Sequence, residues 1–440
     1  MRYENIKSVI LTILVVLSIV LTWNLWTYQP GYETMKKSNV VAEVSISEKQ
    51  EVQKIVRPDL VLYHINGQHY GTTNSTELEK IIKQMSQWSF YNLKNDSGKV
   101  GNINDLAHAS GNVEIVFPGG IPIALYRSVL NFSERKLPDF NFDRIIINVE
   151  NSEKNNGIVY FASSEHQQIY TSRISATFLR EFNRNFYKNA ASLKRYFPYK
   201  SSSKHTIFLP EGETVMMEYK YLPVTLDSEV FKEALFSDPS FVQKSFIPQG
   251  EEYTNGSSKM NVSYDTNMLS YVNPTAESGY STNGYDLVKN SIDFVNEHGG
   301  WTDSYRYVSK DERNQTVIFR LYSLEGYPVF NDKGVSEIKE VWGKNEINKY
   351  VRPDISLELP LKSETQRLIL PSGHEALKIL QNKKGFNPEL LKEMVLGYRM
   401  DRDAEENKLI SLEPAWFYLY NNKWGEIAAD DLGGLKYGLE

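Results

Sequence analysis

One apolar run near the start of the chain stands apart from everything that follows it. Residues 8–28 (SVILTILVVLSIVLTWNLWTY) contain no charged side chain, and the flanking charges are Lys7 and Glu33. A helix of this length rises about 30 Å, which matches the hydrocarbon core of a bilayer. The rest of the chain is polar and tyrosine-rich. The pattern therefore predicts a tail at 1–7, a transmembrane helix at 8–28 and a linker at 29–50.

A basic start followed by an apolar centre is also typical of a cleaved signal peptide. No small-x-small site follows the run, and Trp23, Trp26 and Tyr28 stand where a peptidase would cut. Aromatic residues at the membrane interface are typical of a retained anchor. We therefore expect a single-pass protein of the cell membrane. Arg2 and Lys7 on the short side predict a cytoplasmic N terminus and extracytoplasmic C-terminal domains.

Small hydroxyl side chains follow one face of the predicted helix. At about 100° per residue, four of them fall within an arc of about 120°. Such residues let two helices approach closely and hydrogen-bond across their contact. The pattern predicts a docking face for another transmembrane helix; the alternative is that each hydroxyl bonds a carbonyl of its own backbone. Leu11 lies in the same arc, and the candidate partner-binding residues are Ser8, Thr12, Val15, Ser18, Ile19, Thr22 and Trp26.

Composition limits the classes of fold and function. The 440 residues are 41% hydrophobic and 12% aromatic, which suits folded domains and exceeds a single ordinary core. The net charge of −6 offers no basic stripe to nucleic acid. The absence of cysteine excludes disulfides, thiolate metal sites and cysteine nucleophiles. A large outward-facing protein without disulfides suits a Gram-positive cell surface.

Strand and helix patterns are mixed beyond the linker and predict an α+β fold. We expect two or three extracytoplasmic domains, and we place their limits at 51–199, 200–330 and 331–440. Sheets and helices are expected in each of them, since apolar alternation and helical spacing recur throughout the chain.

Several local signals fix individual elements. Asn66-Gly67 predicts a two-residue hairpin turn, and a helix capped by Asn74, Ser75 or Thr76 is expected to follow it. Two short strands, VEIVF and IPIALY, are predicted on either side of Pro118-Gly119-Gly120. A long helix is predicted from Ile174, and the Tyr- and Asn-rich stretch 253–274 suits a β-meander or long loops.

No motif for catalysis or cofactor binding is present, since the sequence contains no H-E-x-x-H, P-loop or Rossmann fingerprint. His64 and His69 flank the predicted hairpin turn, but two imidazoles without an acidic partner make a poor zinc site. The segment 279–284 misses the nucleophile-elbow spacing by one residue. Asp265 begins a calcium-like loop that lacks its glycine and its glutamate. We therefore assign no catalytic residue, no cofactor and no metal.

Four segments resemble the YycH family, in the same order and over nearly the full length. They are MRYENIKSVILTILVVLSIVLTWNLWTYQP, VRPDLVLYHINGQHYGTT, TVIFRLYSLEGYPVF and LEPAWFYLY. The resemblance implies a non-enzymatic, membrane-anchored regulator with three extracytoplasmic domains. The implied partners are the sensor histidine kinase YycG (WalK) and a YycI-like single-pass protein, bound largely through transmembrane helices. The implied process is two-component signalling that controls cell-wall metabolism.

A membrane-anchored glycan-binding protein or cell-wall hydrolase is the alternative function. It would use the aromatic residues that crowd the second half of the chain as a sugar-binding face. The same alternation also suits strand core and cross-strand pairs. These aromatic residues are Tyr305, Tyr307, Tyr322, Tyr327, Trp416, Phe417, Tyr418 and Tyr420.

Overall fold

A computed structural model of the chain describes residues 7, 11, 14–23, 44–45, 47–150, 156–276, 283–362, 365–404, 406–427 and 436–437. The chain divides into two compact units, Met1–Ala42 and Glu43–Glu440. In the first unit residues 14–23 are helical. Among the described residues, no helix is both long and apolar enough to cross a membrane. Apart from Leu11, the remainder of the predicted transmembrane segment 8–28 lies outside the described residues, and so does most of the linker predicted at 29–50.

The first half of the second unit is built on one large sheet. Its elements include the strands β1 Val44–Ser45, β2 Leu60–Ile65, β3 Gln68–Thr72, β4 Ser89–Asn95, β5 Asn112–Pro122, β6 Asn131–Phe132, β7 Asn141–Asn148, β8 Asn156–Ser163, β9 Gln168–Ser175, β10 Lys194–Ser202 and β11 His205–Pro210. Within the described chain, ten of them pair in the order β11-β10-β3-β2-β5-β7-β8-β9-β4-β6.

Five helices accompany this sheet among the described residues: α1 Val52–Ile55, α2 Ser75–Met85, α3 Ile103–Ala107, α4 Ile123–Tyr126 and α5 Ala176–Asn185. Of the three candidate caps, Asn74 caps α2, because its side chain accepts hydrogen bonds from the backbone N–H groups of Thr76 and Glu77. One face of this helix packs into the core through Leu78, Ile81, Ile82 and Met85. The helix predicted from Ile174 begins at Ala176, and a 3-10 turn at Tyr187–Ser192 follows its end.

The hairpin prediction at Asn66-Gly67 is confirmed, because both residues adopt positive φ, 51° and 76°, between β2 and β3. The prediction of two strands around Pro118-Gly119-Gly120 is wrong. These residues lie inside the single strand β5, whose register with β7 shifts between Val116 and Ile121. The strand absorbs the proline and glycines as an irregularity instead of ending at them.

The second half contains two further large sheets. Its strands are β12 Thr214–Tyr221, β13 Val224–Thr225, β14 Gln243–Ile247, β15 Gly250–Thr254, β16 Lys259–Ser263, β17 Met268–Val272, β18 His298–Gly299, β19 Tyr305–Asp311, β20 Thr316–Leu321, β21 Val329–Phe330, β22 Glu337–Trp342, β23 Ile347–Pro353, β24 Ile355–Ser356, β25 Gln366–Leu370, β26 Leu391–Arg402, β27 Ile410–Tyr420, β28 Lys423–Ile427 and β29 Lys436–Tyr437. Its helices are α6 Ser228–Leu235, α7 Gly284–Glu297 and α8 Gly373–Gln381. The β-meander expected at 253–274 is present as β15, β16 and β17.

The two sheets draw their strands from interleaved parts of the sequence. One has the order β14-β15-β16-β17-β23-β22-β20-β19, and the other has the order β21-β26-β27-β12-β25-β29 with β28 paired to β27. Strand pairs therefore join residues on both sides of the expected limit at 330, and β10 runs across the limit at 199. The domain limits themselves remain predictions.

Strands β5 and β19 pack closely where the first sheet meets the second half. The hydroxyl of Tyr307 donates to the carbonyl oxygen of Gly120 at 2.7 Å. A Cβ atom added to Gly119 would lie 2.3 Å from the carbonyl oxygen of Val308, whereas one added to Gly120 would meet only the Cβ of Asn141, at 3.6 Å. The close approach therefore requires glycine at one of these two adjacent positions.

We expect Gly119→Ala to lower the free energy of unfolding by about 1–3 kcal/mol, because the methyl group forces the two strands apart. Denaturant titration of the full chain would measure the effect. Gly120→Ala is the matched control and should change the stability by much less. An equal decrease in the free energy of unfolding of the two variants would mean that the strands adjust to a methyl group near Val308 without loss of stability.

Candidate functional site

The structure places four of the seven residues predicted to bind a partner. The side chains of Val15, Ser18, Ile19 and Thr22 are exposed on the helical residues 14–23. The Thr22 hydroxyl donates to the Ser18 carbonyl oxygen at 2.8 Å, so for this residue the intrahelical alternative applies. The docking face stays a prediction, and its remaining members, Ser8, Thr12 and Trp26, lie outside the described residues.

Three histidines lie close together beside the hairpin of β2 and β3. His64 on β2 and His69 on β3 are directly opposite in the hairpin, with their Nδ1 atoms 2.7 Å apart. His108, just after α3, brings its ring centroid to 5.4 Å from that of His64. Phe208 on β11 packs against all three rings at centroid distances of 4.7–5.6 Å. The hairpin turn and the neighbouring strands thus gather three imidazoles around one aromatic ring.

A buried ion pair lies beneath these histidines. Glu114 on β5 is 0% exposed, and Arg144 on β7 donates from Nη1 to its Oε1 atom. Arg144 also donates from Nε to the Ser164 hydroxyl at 2.8 Å. The other carboxylate oxygen, Oε2, lies 3.5 Å from Nε2 of His64 and 3.6 Å from Nε2 of His108. The carboxylate therefore contacts a guanidinium on one side and two imidazoles on the other.

The electrostatics of the cluster follow from burial and from this pairing. Burial is the largest single influence and raises the pKa of Glu114, but Arg144, His64 and His108 together outweigh it and hold the pKa below its usual range. Burial lowers the pKa of His69 and of His108 to about 4. At neutral pH His69 and His108 are therefore neutral beside the charged ion pair of Glu114 and Arg144. In the described chain no group of three or more His, Cys, Asp or Glu side chains could hold a metal ion.

A cavity of about 510 Å³ lies beside the histidine cluster. Its walls come from β3, from α3 and the residue after it, and from β10 and β11, whose pairing shifts register between Lys200 and Ser202. A bulge of this kind often re-aims a side chain next to a site. The lining residues are His69, Asn104, Asp105, His108, Pro198, Lys200, Thr206 and Phe208.

The hairpin signal placed His64 and His69 on either side of one turn, but the sequence pattern did not single out the other members of the cluster. The signal available for Glu114 was a carboxylate inside the otherwise apolar strand VEIVF, where a buried charge requires a partner. Nothing in the sequence pattern linked it to Arg144, 30 residues away on a neighbouring strand.

The other candidates from the sequence do not form a functional site among the described residues. Tyr305, Tyr307, Tyr322, Trp416 and Phe417 are at most 4% exposed, so these five aromatic residues belong to the core and not to an open face. Residues 265–267 form the turn between β16 and β17. The near-miss nucleophile elbow falls largely outside the described residues, since 279–282 are not among them.

The chain is similar to known proteins over most of its length. The family model "YycH protein, N-terminal domain" matches residues 4–191, and "YycH protein, C-terminal domain" matches residues 204–431. A curated relative, the two-component system WalR/WalK regulatory protein YycH of Bacillus subtilis (strain 168), is 26% identical over 462 residues, with 100% of each chain covered. The crystal structure of YycH from Bacillus subtilis matches with a TM-score of 0.73 at 21% identity. That match covers 88% of this chain and 100% of the other, so the two share a fold.

Proposed function

Because the chain belongs to the YycH family, we propose that it is a membrane-anchored, non-enzymatic regulator of two-component signalling in cell-wall metabolism. In this proposal it associates with a YycG/WalK-like sensor histidine kinase and with a YycI-like single-pass protein, largely through its transmembrane helix. The N terminus is cytoplasmic, and the domains after the helix are extracytoplasmic. The Bacillus subtilis relative is named a regulatory protein of the WalR/WalK system, which supports the regulatory role.

The exposed apolar helix is the observation that carries this proposal. Between residues 14 and 23, eight apolar side chains are 51–72% exposed. At about 100° per residue they point to all sides of the helix. A helix that is apolar all round is stable only in apolar surroundings, such as lipid or other transmembrane helices. The helix therefore supports both an anchor and a helix-mediated contact.

We expect leucine at Ser8, Thr12, Ser18 and Thr22 to abolish co-purification of the chain with the sensor kinase from detergent-solubilised membranes. The added bulk prevents close approach on the proposed contact face and removes the hydroxyls that bond across it. Expression and membrane insertion should stay normal, because leucine inserts favourably into the membrane as part of a helix.

Leu17→Phe combined with Val20→Phe is the matched control, since it adds bulk on the opposite side of the helix. Loss of association in the leucine variant alone supports the proposed face. Unchanged association in both variants would indicate that the contact lies on another face of the helix or on the extracytoplasmic unit.

Replacing the whole segment 8–28 by an unrelated transmembrane helix separates the regulator from the glycan-binding alternative. A regulator that acts through its helix loses its effect on signalling. A glycan-binding protein or hydrolase keeps its function, and it should also bind or cleave purified peptidoglycan.

A further inference from the structure

The cavity beside the histidine cluster contains two opposite charges that are not used elsewhere. Lys200 on β10 and Asp105 in α3 both line it, and both side chains are exposed. In the part of the chain that the structure describes, no ion pair joins them to each other, and neither side chain has another ionic or hydrogen-bonding partner. An ammonium and a carboxylate therefore share one cavity while each keeps its full pairing capacity.

The rest of the lining carries no net charge at neutral pH. His69 and His108 are neutral because burial lowers the pKa of each to about 4. Pro198 and Phe208 supply apolar surface, and Thr206 supplies a hydroxyl group. The volume of about 510 Å³ lies within the range of about 300–1,000 Å³ that is usual for small-molecule sites.

The walls also contain hydrogen-bonding capacity that the described residues do not satisfy. Nδ2 of Asn104, a residue that lines the cavity, is enclosed and has no hydrogen-bond partner among them. Buried polar atoms normally find partners, because leaving one unpaired is costly. Unpaired atoms in the wall of a cavity are typical of a place where a polar ligand or water completes the network.

We propose that this cavity binds a small zwitterion, an amino acid or a short peptide with a free ammonium and a free carboxylate group. Lys200 pairs with the carboxylate and Asp105 pairs with the ammonium. Thr206 and Asn104 hydrogen-bond to the polar backbone of the ligand, and Pro198 and Phe208 contact its aliphatic part. Ligand binding goes beyond the proposed regulatory function, and the two proposals are tested independently.

Three probes dissect the two charges by isothermal titration calorimetry on the full chain in detergent. Alanyl-alanine carries both charges, N-acetyl-alanyl-alanine lacks the ammonium, and alanyl-alanine amide lacks the carboxylate. We expect alanyl-alanine to bind, and each blocked probe to bind at least about tenfold more weakly, because each loses one charge-assisted contact. Absence of binding of alanyl-alanine, or equal affinity for the three probes, would overturn the proposal.

Two variants assign the charges to their residues. Asp105→Asn should weaken alanyl-alanine and its amide by about tenfold and leave the N-acetyl probe unchanged. Lys200→Gln should weaken alanyl-alanine and the N-acetyl probe by a similar factor and leave the amide unchanged. Both side chains are exposed, so the fold is preserved. Lys204→Gln and Asp139→Asn, exposed positions outside the lining, are the matched controls. Variants that bind like these controls would show that the two charges do not hold the ligand.

Discussion

Replacing Glu114 by glutamine should lower the free energy of unfolding by about 3–5 kcal/mol, because it leaves a buried guanidinium without its counter-charge. The carboxylate is 0% exposed, and the side chain of Arg144 is only 9% exposed. The nearest other carboxylate, that of Asp143, lies 3.9 Å from Arg144 Nε and compensates only weakly. Glutamine keeps the size of the side chain, so the loss reports the charge and not a cavity. Denaturant titration at neutral pH measures it.

The exposed pair of Glu77 and Lys80 provides the control. Glu77→Gln removes the same charge at the surface and should cost less than about 1 kcal/mol. The double variant Glu114→Gln with Arg144→Met tests the mechanism, because removing both charges should restore much of the loss. A Glu114→Gln variant as stable as Glu77→Gln would mean that water reaches the pair and screens it.

Local elements of the fold were predictable because their causes lie within a few residues. Asn66-Gly67 tolerates the positive φ angles that the hairpin turn requires, and Asn74 has the side chain that caps α2. The break predicted at Pro118-Gly119-Gly120 failed for a different reason. Whether these residues end a strand or deform it depends on the neighbouring strands β7 and β19, which the local sequence does not reveal.

The arrangement of the sheets was not predictable in the same way. Strand β12 pairs with β25 and β27, which follow it by more than 140 residues, and β23 pairs with β17. Such pairings depend on packing across the whole unit, whereas alternation of apolar residues reports only which strands exist. The family resemblance and the mixed α+β class were accessible from sequence; the interleaving was not.

The candidate site shows the same division. The hairpin alone brings His64 to His69, because the turn fixes their register. Glu114 and Arg144 join them through pairings of β5 with β2 and with β7. The cavity adds a further level, since β10 and β11 reach its walls from beyond the first 190 residues. The parts of the site that depend on contacts between distant segments could therefore not be predicted from the local sequence.

Acid should destabilise the chain through His108, and His108→Gln should reduce this effect. Burial lowers the pKa of His108 from 6.5 to about 4, so between these pH values the unfolded chain binds a proton that the folded chain excludes. The stabilisation is complete above pH 6.5 and is lost as the pH falls towards 4. One pKa unit corresponds to about 1.4 kcal/mol, so the whole shift is worth at most about 3.5 kcal/mol, of which about 2–3 kcal/mol is lost between pH 6.5 and 4.

The sign of this effect depends on the groups that face His108. Glu114 favours the protonated imidazole, while Arg144, His64 and His69 oppose it. Burial outweighs the attraction to Glu114, because that carboxylate is already paired with Arg144. Glutamine at position 108 cannot take up a proton, so the free energy of unfolding of this variant should fall less steeply between pH 6.5 and 4.

Denaturant titrations of both proteins at half-unit pH steps would measure the difference. His166→Gln, at an exposed histidine of the β8–β9 turn, should keep the full acid dependence of the unchanged chain. If His108→Gln keeps it as well, the loss in acid arises elsewhere. The half-buried histidines His69, His205 and His298, each with a pKa lowered by burial, are then the groups to replace.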